Sequence, residues 1–254
     1  LYKMNYGPSD YGIGINSGDQ SSWATKPSNV SGSFFRSPFG STNIEPARTN
    51  DSEKLTYYTP RIEGFQLGVS YIPEAGQDSN GQPDRNSTLS DGYAVAANFK
   101  RDFDGFNVGV SGGFGGFTEG VAAGQDDPKA WSAGLTLGFG GFSVGAAYAD
   151  ADGTTDAADS DGYNVGVAYA TGPWGVSLGW FHGEVEGSTT AGVTSGNGEH
   201  DTYALSGKYA LGPGVTAAAT LAHTEYDTDN TSATGAALDG GESTYFVVGM
   251  KLSF

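Results

Sequence analysis

The sequence predicts an all-β chain, an antiparallel transmembrane β-barrel that crosses a membrane with its strands. Three observations carry this reading. The last eleven residues, TYFVVGMKLSF, alternate strictly: Phe246, Val248, Met250, Leu252 and Phe254 are large and apolar, and the residues between them are smaller or more polar. Period-two alternation with one apolar face is a strand signal. About ten such residues closed by an aromatic match one strand of a barrel in a lipid bilayer. The second observation is that connections alternate between short turns and long polar loops, the wiring of such barrels. The third is that the phase opposite each apolar face is small or polar, which cannot pack a dry core but can line a water-filled lumen.

Taken in order, residues 1–54 are the least regular part. Asn, Ser, Gly and Pro are scattered among the aromatics Tyr2, Tyr6, Tyr11, Trp23, Phe34, Phe35 and Phe39. So many rings indicate a segment that packs on something and not a disordered tail, and a loop this long inside a compact fold is usually functional. From 55 to 254 the alternation is regular. LTYYTP (55–60) is a short strand. Phe65, Leu67, Val69 and Tyr71 share a face after the turn PRIEG. Next come Tyr93 to Phe99, Phe106 to Val110, Trp131 to Phe139 and Phe142 to Tyr148. Tyr163 to Tyr169, Trp174 to Trp180, Tyr203 to Tyr209, Val215 to Leu221 and the terminal strand complete eleven. The opposite phase includes Ser70, Asn98, Lys100, Ser111, Ser132, Asn164, Ser206, Lys208 and Thr220. Aromatics flank the short turns, as Phe139 and Phe142 do, at a level that suits the lipid–water boundary.

Residues 130–149 run without a charge and contain a GxxxG match at Gly134 and Gly138, which invites a membrane-helix reading. The alternation resets at Gly140-Gly141, so the segment is expected to be a hairpin.

Composition narrows the function classes. Apolar residues are 37% of the chain and Gly alone contributes 42 of its 254 residues, a thin supply for a conventional core. The net charge of -17 excludes nucleic acid as a partner. Cysteine is absent, so there is no disulfide framework or thiolate metal site. The chain begins at Leu1 with no leader pattern, so a mature or truncated form is expected.

The hydrolase pattern G-x-S-x-G occurs three times, at 109–113, 141–145 and 175–179. No helix pattern follows any of them, and the repetition marks a by-product of alternation. His182, His200 and His223 lie near the long-loop side and read as surface or interfacial residues. A hydrolase pivoting on His223 is a weaker competitor, and no enzyme is expected. In the loop 150–161, Asp150, Asp152, Asp156, Asp159 and Asp161 offer oxygen ligands suited to a loosely bound Ca²⁺. The EF-hand spacing is not met, and a solvated acidic loop is the plainer alternative.

Several phrases resemble the general porins of Gram-negative outer membranes, especially those of α-proteobacteria. They are KLTYYTPRIEGFQLGVSYIPE (54–74), the strands GFSVGAAYA and WGVSLGWFHGE, and the terminal VVGMKLSF. The resemblance implies a sixteen-stranded barrel in the outer membrane that contacts lipid and lipopolysaccharide and assembles as a homotrimer. Its function would be passive diffusion of ions and small hydrophilic solutes. The eleven strands would be the sixth to sixteenth, the chain would be a fragment lacking the first ones, and 1–54 would be the inward-folding constriction loop. Carried over by position, Asp10, Asp19, Glu45, Arg36 and Arg48 are the expected constriction residues, and Lys100, Lys208 and Lys251 the expected wall charges. The competing expectation is a plugged barrel serving as a surface adhesion or cell-envelope attachment scaffold.

Overall fold

The computed structural model describes residues 4–12, 52–76, 89–156, 159–187, 193–194, 196–229, 231–232 and 240–253. The strands are β1 (Leu55–Tyr58), β2 (Phe65–Glu74), β3 (Ser90–Phe103), β4 (Phe106–Gly116), β5 (Lys129–Phe139), β6 (Phe142–Asp152) and β7 (Ser160–Thr171). They continue with β8 (Trp174–Val185), β9 (Val193–Thr194), β10 (Gly198–Gly212), β11 (Val215–Thr228), β12 (Thr231–Ser232) and β13 (Gly241–Leu252). Eleven of them form one sheet in the order β1-β2-β3-β4-β5-β6-β7-β8-β10-β11-β13, each antiparallel to its neighbour. These are the eleven strands expected from alternation. The segment 130–149 is the β5–β6 hairpin, and no described helix is long and apolar enough to cross a membrane. Its turn places Gly140 and Gly141 at φ 53° and 86°, the left-handed pair that a two-residue hairpin turn requires.

The two faces of the sheet differ as the sequence requires. On β13, Val248 is 65% exposed and the adjacent Val247 only 9%. The same contrast runs around the sheet: Leu67, Val95, Val110, Leu137, Val144, Val167, Leu178, Leu205 and Leu221 are exposed, while Ser70, Asn98, Ser111, Ser132, Asn164, Ser177, Ser206 and Thr220 are buried. In water, an exposed apolar belt of this extent would cost about 25 cal/mol for each Å² of apolar surface. Facing lipid, it costs nothing and holds the wall in the bilayer.

Rings border the belt at both ends. At the short turns, Phe103 meets Phe106 at 4.8 Å, Phe142 meets Tyr169 at 4.5 Å and Trp174 meets Tyr209 at 4.4 Å. At the long-loop end, Tyr93 meets Phe114 at 5.9 Å, Trp131 meets Tyr148 at 5.1 Å, and Trp180 packs against both Tyr163 and Tyr203. The second row is absent from the sequence reading because its rings lie inside strands and not beside turns.

Three expectations change. Strand pairing runs past the apolar belt, so the loop read as 150–161 shrinks to 153–159, and Asp150, Asp152 and Asp161 are strand residues. The reason is that strand ends protruding into water keep their ladder bonds while carrying polar side chains. His200 is not interfacial: it is 3% exposed, in phase with Thr202 and Ser206, and lies on the inner face. It stacks on Tyr226 at 4.6 Å, meets Phe181 edge-on at 5.5 Å and shares a 2.8 Å hydrogen bond with Thr202. That inner face is also not uniformly small, since Phe181 packs with Ala204, Ala222 and Tyr245 near the long-loop end. The long loops engage one another as well, with β9 pairing β12 and Asp126 N–H donating to the Thr154 carbonyl at 3.1 Å.

Candidate functional site: a strap across the small face

Residues 4–12 run obliquely across the inner face of the sheet, from β3 to β10. The path is fixed by hydrogen bonds to successive strands. The Asn98 amide on β3 donates to the Met4 carbonyl at 2.8 Å. The Tyr6 N–H donates to Ser111 Oγ on β4 at 2.8 Å, and Thr136 Oγ1 on β5 donates to the Gly7 carbonyl at 2.7 Å. Ser9 meets Ser143 on β6 at 3.2 Å, and the Tyr11 N–H donates to Ser177 Oγ on β8 at 2.9 Å. The strap ends over β10, where Lys208 Nζ lies 3.7 Å from the centroid of the Tyr11 ring. Met4 is 1% exposed, so this is a packed contact and not a loose tail.

The small inner phase makes the crossing possible. A Cβ added at Gly134 would collide with the Tyr6 carbonyl, and one at Gly145 would meet the Gly7 carbonyl and Pro8 at 2.5 Å. A strap bearing its own carbonyls and N–H groups also needs partners for them. The inward Ser, Thr and Asn side chains supply these. The sequence reading identified the small phase but not the strap that uses it. The available signal was the run of inward glycines and serines on consecutive strands.

The expected site residues divide as follows. Asp10 lies in the strap, with Oδ1 accepting from the Gly12 N–H at 2.9 Å and from Ser177 Oγ at 3.3 Å. Lys208 reaches not Asp10 but the next strap residue, Tyr11, so both expected residues lie at the same end of the strap. Lys100 and Lys251 are exposed in the inward phase near the turn end, opposite Gly109 and Thr216 respectively. Asp19, Arg36, Glu45 and Arg48 lie outside the described residues. The five aspartates of the acidic segment do not converge. Asp152 pairs with Lys129 at 2.9 Å, Asp159 accepts from the Gly153 N–H at 2.7 Å, and Asp150 faces Asp161 across the β6–β7 ladder. Among the described residues, the group that brings three ligand atoms within 4.8 Å of one another is His223, Glu225 and Glu242.

An antiparallel wall with an apolar exterior, two rows of rings and a hydrogen-bonded strap on a small polar interior defines the wall of a transmembrane β-barrel. The family model of Gram-negative porins matches residues 3–229, and the chain belongs to that family. Its place is therefore the outer membrane. No curated protein matches the sequence. Among solved structures, Pseudomonas aeruginosa OprD is similar at a TM-score of 0.53 and 10% identity, over 78% of this chain and 59% of that one. The outer membrane protein opdK of Pseudomonas aeruginosa gives a TM-score of 0.52 at 16% identity, over 85% and 62%. An anion-selective porin from Comamonas acidovorans gives 0.50 at 13% identity, over 80% and 59%. At these identities the likeness concerns the fold. The chain spans about three fifths of the length of these structures.

Proposed function

We propose that this chain supplies the wall and the constriction of a water-filled channel for passive diffusion of ions and small hydrophilic solutes. The observation that carries the reading is the strap 4–12, held by hydrogen bonds against the inner face of the wall from β3 to β8. A segment fixed there narrows a lumen without closing it, and no chemistry is required of it. Selectivity then depends on pore size and on the field of the charges near the strap, Asp10 opposing Lys100, Lys208 and Lys251. The protein is accordingly a conduit and not an enzyme, and loosely held Ca²⁺ at the acidic loops is incidental to conduction. The working assembly is a homotrimer in contact with lipid and lipopolysaccharide. Outward Ala217 and Ala219 on β11 offer a flat strip for a neighbouring subunit.

Conductance of the full-length protein in a planar bilayer is the test. Stepwise openings are the expected result. Folded protein that gives none, in liposomes that stay impermeable to small sugars, would favour an attachment scaffold instead.

A further inference from the structure

The exterior of the wall carries a side-chain cluster that plays no part in conduction. On β11, the outward phase continues beyond Leu221 to His223 and Glu225; on β13 it continues beyond Phe246 to Thr244 and Glu242. The ladder sets His223 opposite Thr244 and Glu225 opposite Glu242. His223 Nε2 lies 3.1 Å from Glu225 Oε1 and 4.0 Å from Glu242 Oε2. Its other ring nitrogen, Nδ1, is 2.7 Å from Thr244 Oγ1.

Two features favour a cation. Like charges directly opposite each other on one face of an antiparallel pair are destabilising, yet the register fixes Glu225 against Glu242. Among the described residues no Lys or Arg forms an ion pair with either carboxylate. A single imidazole stands against both carboxylates. The second feature is the orientation of the ring. Metal-ligating histidines typically commit their second nitrogen to a hydrogen bond that fixes the tautomer. Thr244 occupies that place and leaves Nε2 directed at both carboxylates.

The neighbouring His182 provides an internal contrast. It also faces a carboxylate, with Nδ1 3.2 Å from both oxygens of Asp201. Asp201 is also held by Trp180 Nε1 at 2.7 Å, and the ladder sets it opposite Glu225, so the two clusters adjoin on the outer face. Asp201 thus receives an indole N–H besides its imidazole, whereas among the described residues Glu225 and Glu242 share the one imidazole of His223. A cleft of about 380 Å³, lined by Glu199, Asp201, Glu225, Asp227 and Glu242 among others, gives an ion access from the aqueous side.

We propose that His223, Glu225 and Glu242 form a binding site for a divalent transition-metal cation of the Zn²⁺ class, on the outside of the wall and just past the long-loop ring row. Imidazole is the ligand that selects this class over Ca²⁺ and Mg²⁺, which take oxygen sets. Three protein ligands leave a fourth position to water or to an oxygen of a neighbouring molecule. The bound ion cancels the Glu225–Glu242 repulsion and staples β13 to β11.

The test is equilibrium dialysis of the full-length folded protein, without a polyhistidine tag, against Zn²⁺ in detergent micelles. The expected result is a site that binds one Zn²⁺ per chain, is lost in His223→Ala and in Glu225→Gln, and is unchanged in His182→Ala. Thr244→Val should weaken the site roughly 10- to 100-fold, the usual effect of removing an outer-shell partner. Excess Ca²⁺ should not displace the metal. Heat-modifiable electrophoretic mobility reports folding of each variant. If His223→Ala does not fold, Glu242→Gln, at an exposed strand end, takes its place. Wild type that binds no Zn²⁺, binding that survives His223→Ala or its replacement, or full displacement by Ca²⁺ would overturn the site. Each result is independent of whether the lumen conducts.

Discussion

Lys208 on β10 holds its Nζ 3.7 Å from the centre of the Tyr11 ring, tying a wall strand to a segment that lies more than a hundred residues earlier. A cation–π contact of this kind contributes about 0.5–1 kcal/mol when exposed and about 2 when desolvated. It acts at the end of the strap, where the hydrogen bond from Tyr11 N–H to Ser177 is the adjacent fixing point.

Loosening that end should change the channel more than the fold. In Tyr11→Leu the ring is lost and the lysine charge remains. The unitary conductance should rise or become noisy, while the melting temperature moves by only a few degrees, as a change of about 1 kcal/mol implies. Single-channel recording beside thermal unfolding reads both. A conductance identical to wild type would show that the strap does not limit flow.

Filling the track beneath the strap tests the same idea from the wall side. Gly134→Val and Gly145→Val each place branched side chains where the Tyr6 carbonyl, the Gly7 carbonyl and Pro8 now lie. Valine suits a strand, so the sheet should form and the strap should lift. The expected signature is a larger conductance together with faster proteolysis within 4–12. Barrel assembly, read by heat-modifiable mobility, should persist. Gly105→Ala, at a turn position whose added Cβ would meet nothing within 4 Å, serves as the contrasting variant. Its effect should be confined to backbone strain, because its φ is 90°.

These two cases show what was legible in the sequence. All eleven wall strands could be read because membrane strands repeat one rule, large-out and small-in, at period two. The apolar exterior at Leu205 and Val248 and the small interior at Ser111 and Ser177 follow from that rule alone. The strap does not, because Tyr6 finds Ser111 and Tyr11 finds Ser177 across long stretches of chain whose separation sets no pattern. The exterior metal cluster was hidden for a related reason. His223 and Glu225 share a face by simple alternation, but Glu242 joins them only through the β11–β13 register. The strand ends were misjudged at Asp150, Asp152 and Asp161 because alternation loses its apolar marker once the strand leaves the membrane, while backbone pairing continues.

The ring row at the long-loop end should position the barrel in the bilayer. Trp180 packs on Tyr163 at 5.2 Å and donates to Asp201 at 2.7 Å, with its body in the apolar belt and its N–H toward water. Trp180→Ala removes the anchor and leaves Asp201 with His182 alone. We expect slower insertion into liposomes and a loss of stability of about 1–3 kcal/mol, the scale of an unmade hydrogen bond to a charged group. Folding kinetics and urea unfolding measure these. Trp180→Phe should restore the apolar share but not the hydrogen bond, and so fall between the two.

The last prediction concerns charge selectivity. The chain carries 29 acidic residues against 12 basic ones, and many of the acids lie at the long-loop end. A negative mouth concentrates cations over about a Debye length, ~10 Å at 0.1 M salt and ~30 Å at 0.01 M. Lys100, Lys208 and Lys251 oppose this deeper in the lumen, so the net preference for cations should be modest. The five aspartates contribute unequally. Asp152 is neutralised by Lys129 at 2.9 Å, and Asp150 and Asp161 share the outward face with Trp131 and Tyr163, on the far side of the wall from the lumen. Asp156 and Asp159 remain in the loop itself. Changing all five to Asn should shift the reversal potential across a KCl gradient toward the anion side at low salt, with little effect at 1 M, where the Debye length is ~3 Å. The pair Asp156→Asn and Asp159→Asn should account for more of that shift than Asp150→Asn with Asp161→Asn. An anion-selective wild type, or a reversal potential that the five changes leave unmoved at low salt, would place the selectivity-determining field at the strap and its lysines and not at the mouth.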